Sequence, residues 1–125
     1  MWVKLDDHFV DHPKVLAVGP VGLALFVAGL CYANRLLTNG FIPENQVDRL
    51  LHRNGGRRDE PAKLAAKLCE VGLWSSATVK QAKGYLIHDF LKYQPSRKQV
   101  LRSRKQTAKR VARWRNQVTR KVTRE

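Results

Sequence analysis

The sequence predicts a small α+β domain, mostly helical, followed by a basic C-terminal helix. Residues 15–34 carry no charge and are numerous enough to form a helix. In the segments after them, apolar residues first recur at helical spacing and later alternate with polar residues as in strands. The charge is divided unevenly, because residues 96–125 contain twelve of the 24 Lys and Arg residues and a single acid, Glu125. This segment therefore holds +11 of the net charge of +14. We predict a compact domain over residues 1–95 and a basic helical arm over residues 96–125.

The uncharged stretch is interrupted at Gly19-Pro20. Because proline favours the first turn of a helix, we predict a short helix that starts at Asp11-His12-Pro13, with Asp11 as its N-cap, and ends at Gly19. A second helix follows over residues 20–37 and stops at Asn39-Gly40. This second helix is short for a membrane span of about 20 residues. We interpret it as a central buried helix, and a membrane span is the alternative.

Cysteines and aromatic residues in apolar stretches indicate which side chains form the core. Cys31 and Cys69 are predicted to be small buried residues in a reducing compartment, because no metal-ligand spacing accompanies them. The aromatic residues predicted in the core are Trp2, Phe26, Trp74, Tyr85 and Phe90.

The middle of the first domain predicts one short strand and two helices. Residues 41–42 suit a single rung of a small sheet, and Pro43 then opens a helix over residues 44–51. A basic loop, residues 52–58, leads to a third helix that begins at Pro61 and ends at Gly72.

Two strands and the arm complete the prediction. Residues 73–76 and 85–88 are predicted strands, with the polar residues 77–84 as a hairpin tip. Residues 2–5 are either a short edge strand or an extended lead-in. Ser96 and Gln99 form a capping box, so the arm helix starts there and continues at least to Trp114.

This order of helix, short strand, two helices and hairpin is that of a winged helix-turn-helix. The predicted fold class is therefore a winged helix-turn-helix with a three-helix core, a small three-stranded sheet and a wing, plus the basic C-terminal helix. An α+β domain without DNA-binding geometry is the alternative.

Short segments of this domain also resemble a known family. The most specific are Trp2-Val3-Lys4-Leu5-Asp6-Asp7 and Gly84-Tyr85-Leu86-Ile87-His88-Asp89-Phe90, supported by residues 12–14, 31–34, 40–43, 71–74 and 93–97. They are similar to the replisome-organizer, or DnaD-like, winged-helix domains of phage and mobile-element replication proteins. The resemblance implies binding of duplex DNA at a replication region, or regulation of transcription by a phage-type protein, in the bacterial cytoplasm at the nucleoid.

Basic residues on three parts of the domain and arm are the candidate DNA contacts. Lys63 and Lys67 lie one turn apart on the predicted third helix, which enters the major groove in winged helices. The candidates in the preceding loop are Arg53, Arg57 and Arg58, and those in the wing are Lys80 and Lys83. In the arm they are Arg97, Lys98, Arg102, Arg104, Lys105, Lys109, Arg110 and Arg113. A solvated helix face and an ordinary loop are the alternatives for the first two groups.

The arm admits other partners besides nucleic acid. An anionic membrane surface and an acidic protein also attract a cationic helix, and a solvated tail binds neither. One stripe of the arm, interrupted by Arg104, indicates a partner surface or a seam for a homodimer: Val100, Thr107, Val111, Trp114, Val118 and Val122.

Catalysis has little support in the sequence. Asp7-His8 and His88-Asp89 place an acid beside an imidazole, but neighbours on a strand point to opposite faces. The sequence contains no catalytic triad pattern, phosphate-binding glycine loop or metal-ligand set. We expect a protein without enzymatic activity, cofactor or metal, and the N-terminus lacks the pattern of a signal peptide.

Overall fold

The computed structural model describes residues 1–51 and 60–124 as a mixed α+β structure, mostly helical, with a three-stranded antiparallel sheet. The chain divides into two compact units, Met1–Pro95 (the first unit) and Ser96–Glu125 (the arm). After a short 3-10 helix at Phe9–Asp11, the elements follow in this order: α1 Pro13–Leu36, β1 Phe41–Pro43, α2 Glu44–Leu51, α3 Pro61–Glu70, β2 Trp74–Val79, β3 Ala82–Ile87, α4 Phe90–Tyr93 and α5 Arg97–Arg124.

Helix α1 is kinked at the predicted break. Gly19 has φ 76°, outside the helical region, and the helix continues from Pro20 onwards. The predicted N-cap was wrong, because the cap is His12, whose Nδ1 accepts a hydrogen bond from the Lys14 N–H at 3.1 Å. Asp11 already belongs to the 3-10 helix, whereas His12 has the extended backbone that a residue before proline adopts.

One face of α1 packs into the core of the first unit. Leu25, Phe26, Leu30 and Ala33 are buried at helical spacing against neighbouring elements. By length and composition alone, this helix is also apolar enough to cross a membrane. The prediction of a buried helix holds for only one side of α1. Cys31, predicted to be buried, is exposed, and so are apolar side chains such as Val27.

The sheet has the order β1-β3-β2, and β1 pairs with β3 as the predicted single rung. The predicted hairpin tip was too long, because only Lys80 and Gln81 form the turn between β2 and β3. Both residues have positive φ, 49° and 68°, the geometry of a two-residue turn that matches strand twist. Residues 77–79 and 82–84, which were predicted to lie in the tip, belong to the two strands.

Gly72 terminates helix α3, as predicted, and two backbone hydrogen bonds close the end of the helix. Gly72 has φ 85°, its N–H donates to the Cys69 carbonyl at 3.1 Å, and the Leu73 N–H donates to the Leu68 carbonyl at 3.0 Å. These bonds satisfy the last carbonyls of α3 and turn the chain into β2.

The N-terminal residues form an extended lead-in, not a strand. Two buried amides hold its backbone: the Lys4 N–H donates to Gln94 Oε1 at 3.0 Å, and Asn34 Nδ2 donates to the Trp2 carbonyl at 3.3 Å. The indole of Trp2 is 88% exposed, so its predicted place in the core was wrong. The docked part of Trp2 is its carbonyl rather than its ring.

The remaining predicted core aromatics are inside. Trp74, Phe26 and Phe90 are buried, and Tyr85 is half-buried with its ring 5.3 Å from that of Trp74. In the arm, the capping box is present: the Ser96 N–H donates to Gln99 Oε1 at 2.8 Å and the Gln99 N–H donates to Ser96 Oγ at 3.2 Å. These reciprocal bonds start α5, which continues well past Trp114.

Candidate nucleic-acid interface

The exposed face of α3 carries two lysines between small residues. Lys63 and Lys67 are exposed, with Ala62 and Ala66 beside them, while Ala65 and Leu68 on the opposite side are fully buried. Small neighbours allow another surface to approach the helix closely while the lysines reach past them. The predicted cationic face of α3 is therefore present and accessible.

Lys63 has an acidic neighbour at the start of α3. Its Nζ lies 3.4 Å from Glu60 Oε2, and both side chains are largely exposed. An exposed pair of this kind contributes at most about 1 kcal/mol, so a phosphate group can displace the carboxylate. The three predicted arginines before α3, at positions 53, 57 and 58, lie outside the described residues.

The two predicted wing lysines occupy different elements. Lys80 is in the β2–β3 turn, whereas Lys83 lies on β3 opposite Thr78. Lys83 therefore shares its sheet face with Tyr85, two residues further along the strand. Both lysines are exposed, so the hairpin presents one positive charge at its tip and one on the face beside α2 and α3.

Polar contacts that the sequence did not predict join α3 to the sheet. The Cys69 thiol is hydrogen-bonded to Ser76 on β2, and burial raises the pKa of this thiol above its ordinary value. The pKa of Tyr85 is also raised, first by burial and then by the charges of Glu44 and Cys69. Both groups are therefore neutral at physiological pH, and the Cys69–Ser76 hydrogen bond links α3 to β2.

Helix α5 has two chemically different sides. The basic stripe consists of exposed bases at successive spacings of mostly three or four residues: Lys98, Arg102, Lys105, Lys109, Arg113 and Arg120. At about 100° per residue, these side chains lie on roughly the opposite side of the helix from Val111, Trp114, Val118 and Val122, the apolar stripe. The apolar stripe is 41–70% exposed.

The basic stripe extends over most of the length of α5. Residues 98–120 span roughly 33 Å of helix, close to one turn of B-form DNA. Arg120 was not among the predicted contacts, and the regular interval of seven residues from Arg113 would have identified it. The other arm bases predicted to bind, Arg97, Arg104 and Arg110, lie beside this stripe or among the apolar residues.

The two Asp-His pairs are closer than predicted. His88 Nε2 lies 3.3 Å from Asp89 Oδ2, and His8 Nε2 lies 3.7 Å from Asp7 Oδ1. The prediction of opposite faces was wrong because these residues lie in turns, and Asp89 has φ 55°. All four side chains are substantially exposed. Within the described parts of the chain, no three His, Cys, Asp or Glu residues are placed to hold a metal ion.

No family model, curated protein or solved structure matches the chain.

Proposed function

We propose that this protein binds duplex DNA sequence-specifically through a winged-helix first unit, and that the arm adds affinity for phosphate groups. The observation that carries the proposal is the pairing of an exposed lysine face on α3 with a separate, continuous basic stripe on α5. Nucleic acid is the polyanion that both surfaces suit.

The element order supports a winged-helix arrangement for the first unit. Helix α1 is followed by β1, α2 and α3 and then by the β2–β3 hairpin, with β1 completing the sheet. In this arrangement α3 is the recognition helix. Lys63 and Lys67 contact base edges or adjacent phosphates in the major groove, and Lys80 and Lys83 contact flanking phosphates.

The arm contributes a term that is independent of DNA sequence. Each phosphate neutralised by a Lys or Arg releases condensed counterions, and this release favours binding at low salt. The arm therefore raises affinity for any duplex, while the choice of sequence belongs to the first unit. The resemblance to replisome-organizer domains favours a role at a replication region over one in transcription.

The test first identifies the preferred DNA site by selection from random duplexes. It then compares the affinities of the protein for that site and for random duplex at one salt concentration. The Lys63→Ala, Lys67→Ala double variant should lose about 1 to 3 kcal/mol of discrimination for each base-reading contact removed. Adding Arg57→Ala and Arg58→Ala should extend the loss. The charge-matched control is Arg35→Ala, Lys92→Ala, which removes two exposed bases away from α3 and the hairpin.

The control should bind more weakly at low salt but keep the wild-type ratio. An α3 double variant that remains folded by circular dichroism and keeps the wild-type ratio contradicts the proposal. Footprinting on DNA that flanks the gene for this protein then distinguishes a cluster of repeated sites, expected for replication, from a site that overlaps a promoter.

A protein-interaction module is the second candidate, and the exposed apolar stripe on α5 favours it. Under this alternative the arm binds an acidic protein, with Trp114 and its neighbouring valines buried in the complex. Under this alternative the α3 double variant would bind DNA like wild type.

A further inference from the structure

The first unit contains a cavity of about 480 Å³ that the predicted DNA contacts do not use. It lies between the N-terminal lead-in, α1 and the turn that joins β3 to α4. Its walls are mostly apolar and include Phe9, Phe26, Leu30 and Phe90. This volume falls within the range of small-molecule pockets, which are typically about 300 to 1,000 Å³.

The outer wall of the cavity is positioned by buried amides. Gln94 is 4% exposed and hydrogen-bonds both the N–H and the carbonyl of Lys4, while Asn34, also 4% exposed, donates to the Trp2 carbonyl. Phe9 is further fixed by stacking on Phe26, with ring centroids 5.0 Å apart. The lead-in is therefore held in place by specific contacts, although Leu5, on the cavity wall, remains half exposed.

The cavity lining carries two carboxylates, Asp6 and Asp89, and each of them already contacts a neighbouring residue. Asp6 Oδ1 accepts the His8 N–H at 2.7 Å, and Asp89 Oδ2 pairs with His88 Nε2 at 3.3 Å. His12 Nδ1 accepts the Lys14 N–H at 3.1 Å.

The two lysines of the lining differ from these carboxylates. Lys4 and Lys14 both line it, and neither forms an ion pair with any of the described residues. An apolar interior whose lining includes two lysines without an ion-pair partner matches an apolar molecule that carries one anionic group.

We propose that this cavity binds a small aromatic or aliphatic carboxylate. The apolar body of the ligand lies against Phe9, Phe26 and Phe90, and its carboxylate pairs with Lys4 and Lys14. This site is independent of the proposed DNA contacts on α3 and α5, so either proposal can fail without the other.

Two fluorescent probes of similar shape test the site in the full-length chain. Anilinonaphthalene sulfonate carries a negative charge, whereas N-phenylnaphthylamine is neutral. Both should bind saturably, and decanoate should displace both. The Lys4→Gln, Lys14→Gln variant should bind the anionic probe about tenfold more weakly and bind the neutral probe with unchanged affinity. Leu5→Asp should weaken both, because it places a carboxylate at the apolar wall.

The matched control is Lys105→Gln, Lys109→Gln, which removes the same charge from the arm. Both probes should bind this control as they bind wild type. The proposal is overturned if neither probe saturates, if decanoate displaces neither, or if the arm control weakens the anionic probe as much as the cavity variant does.

Discussion

Gly29 allows α1 to approach the sheet closely. A Cβ atom built on it would lie 2.6 Å from Ile42 Cδ1 and 2.9 Å from Trp74 Cζ2, and both of these side chains are fully buried. Glycine fits this position because no side chain has room there, and this packing requirement outweighs its poor helix propensity. Sequence reasoning assigned no role to this residue, because the collision involves atoms from two distant segments.

We expect Gly29→Ala to destabilise the protein by about 1 to 3 kcal/mol, because the new methyl group overpacks a filled core. The same change in an exposed helix interior would stabilise it by about 1 kcal/mol. Urea denaturation measures the difference. Ile42→Val removes the nearest clashing methyl, so the double variant should be more stable than the sum of the two single effects. A stabilised single variant would show that the close approach is absent.

The half-buried phenol of Tyr85 should make stability depend on alkaline pH. Burial, then Glu44 and Cys69, raises its pKa in the folded protein above the ordinary 10.0, and burial likewise raises the pKa of the Cys69 thiol above 9.0. Stability from both groups is therefore complete below their ordinary pKa values and is lost as pH rises through the folded values. Tyr85→Phe should flatten the decline in unfolding free energy above about pH 9. The control is Tyr93→Phe, which changes an exposed ring, and its unfolding free energy should fall with pH as in wild type. Equal pH profiles for the two variants would show that Tyr85 is not the source of the decline.

At the scale of elements, α5 separates positive charge from apolar surface around one helix. Bases repeat along the basic stripe at intervals of three or four residues, for example at Lys105 and Lys109, so like charges adjoin and destabilise an isolated helix. Neutralisation by phosphates removes this repulsion. The orientation of the stripe, in addition to its total charge, should therefore determine how the arm binds.

Two variants with the same net charge test this orientation. The stripe variant replaces Lys98, Arg102, Lys105 and Lys109 with Gln, and its control replaces Arg104, Arg110, Arg115 and Lys121 with Gln. The stripe variant should reduce the slope of log K against log salt by roughly 3 to 4, since each lost phosphate contact removes about 0.9. The control should reduce it by less. Equal slopes would mean that the arm acts as diffuse charge.

For the whole molecule, the division of charge predicts a division of roles. The arm holds most of the positive charge, whereas the first unit holds a nearly balanced set of charges with the lysine face on α3. General affinity for duplex DNA should therefore depend on the arm, and discrimination between sequences on the first unit.

Deleting residues 96–125 should weaken binding to every duplex and flatten its salt dependence, while the ratio of specific to random binding stays near the wild-type value. Fluorescence anisotropy at several salt concentrations measures both quantities. Circular dichroism and urea denaturation of the shortened chain provide the control for folding. A salt slope that survives the deletion would contradict this division of roles.

Local signals in the sequence predicted most of the elements and the candidate surfaces. Gly19-Pro20 predicted the kink in α1, Gly72 the end of α3, and Ser96 with Gln99 the start of α5, because each of these depends on backbone preferences within a few residues. The position of Lys63 and Lys67 on the side of α3 away from Leu68 also followed from helical spacing. The distribution of charge between the first unit and the arm is determined by the sequence alone.

Tertiary structure decided what depends on distant residues. Trp2 is exposed although Asn34 binds its carbonyl, and Cys31 is exposed because α1 packs into the core through another of its apolar faces. The hairpin turn contains only Lys80 and Gln81, because the paired strands include residues that have the composition of a loop. The cavity lined by Lys4 and Lys14 is formed by segments far apart in the sequence, and Gln94 joins two of them by its hydrogen bonds to Lys4. Such features follow from hydrogen bonds and packing between residues far apart in the chain, which no local pattern encodes.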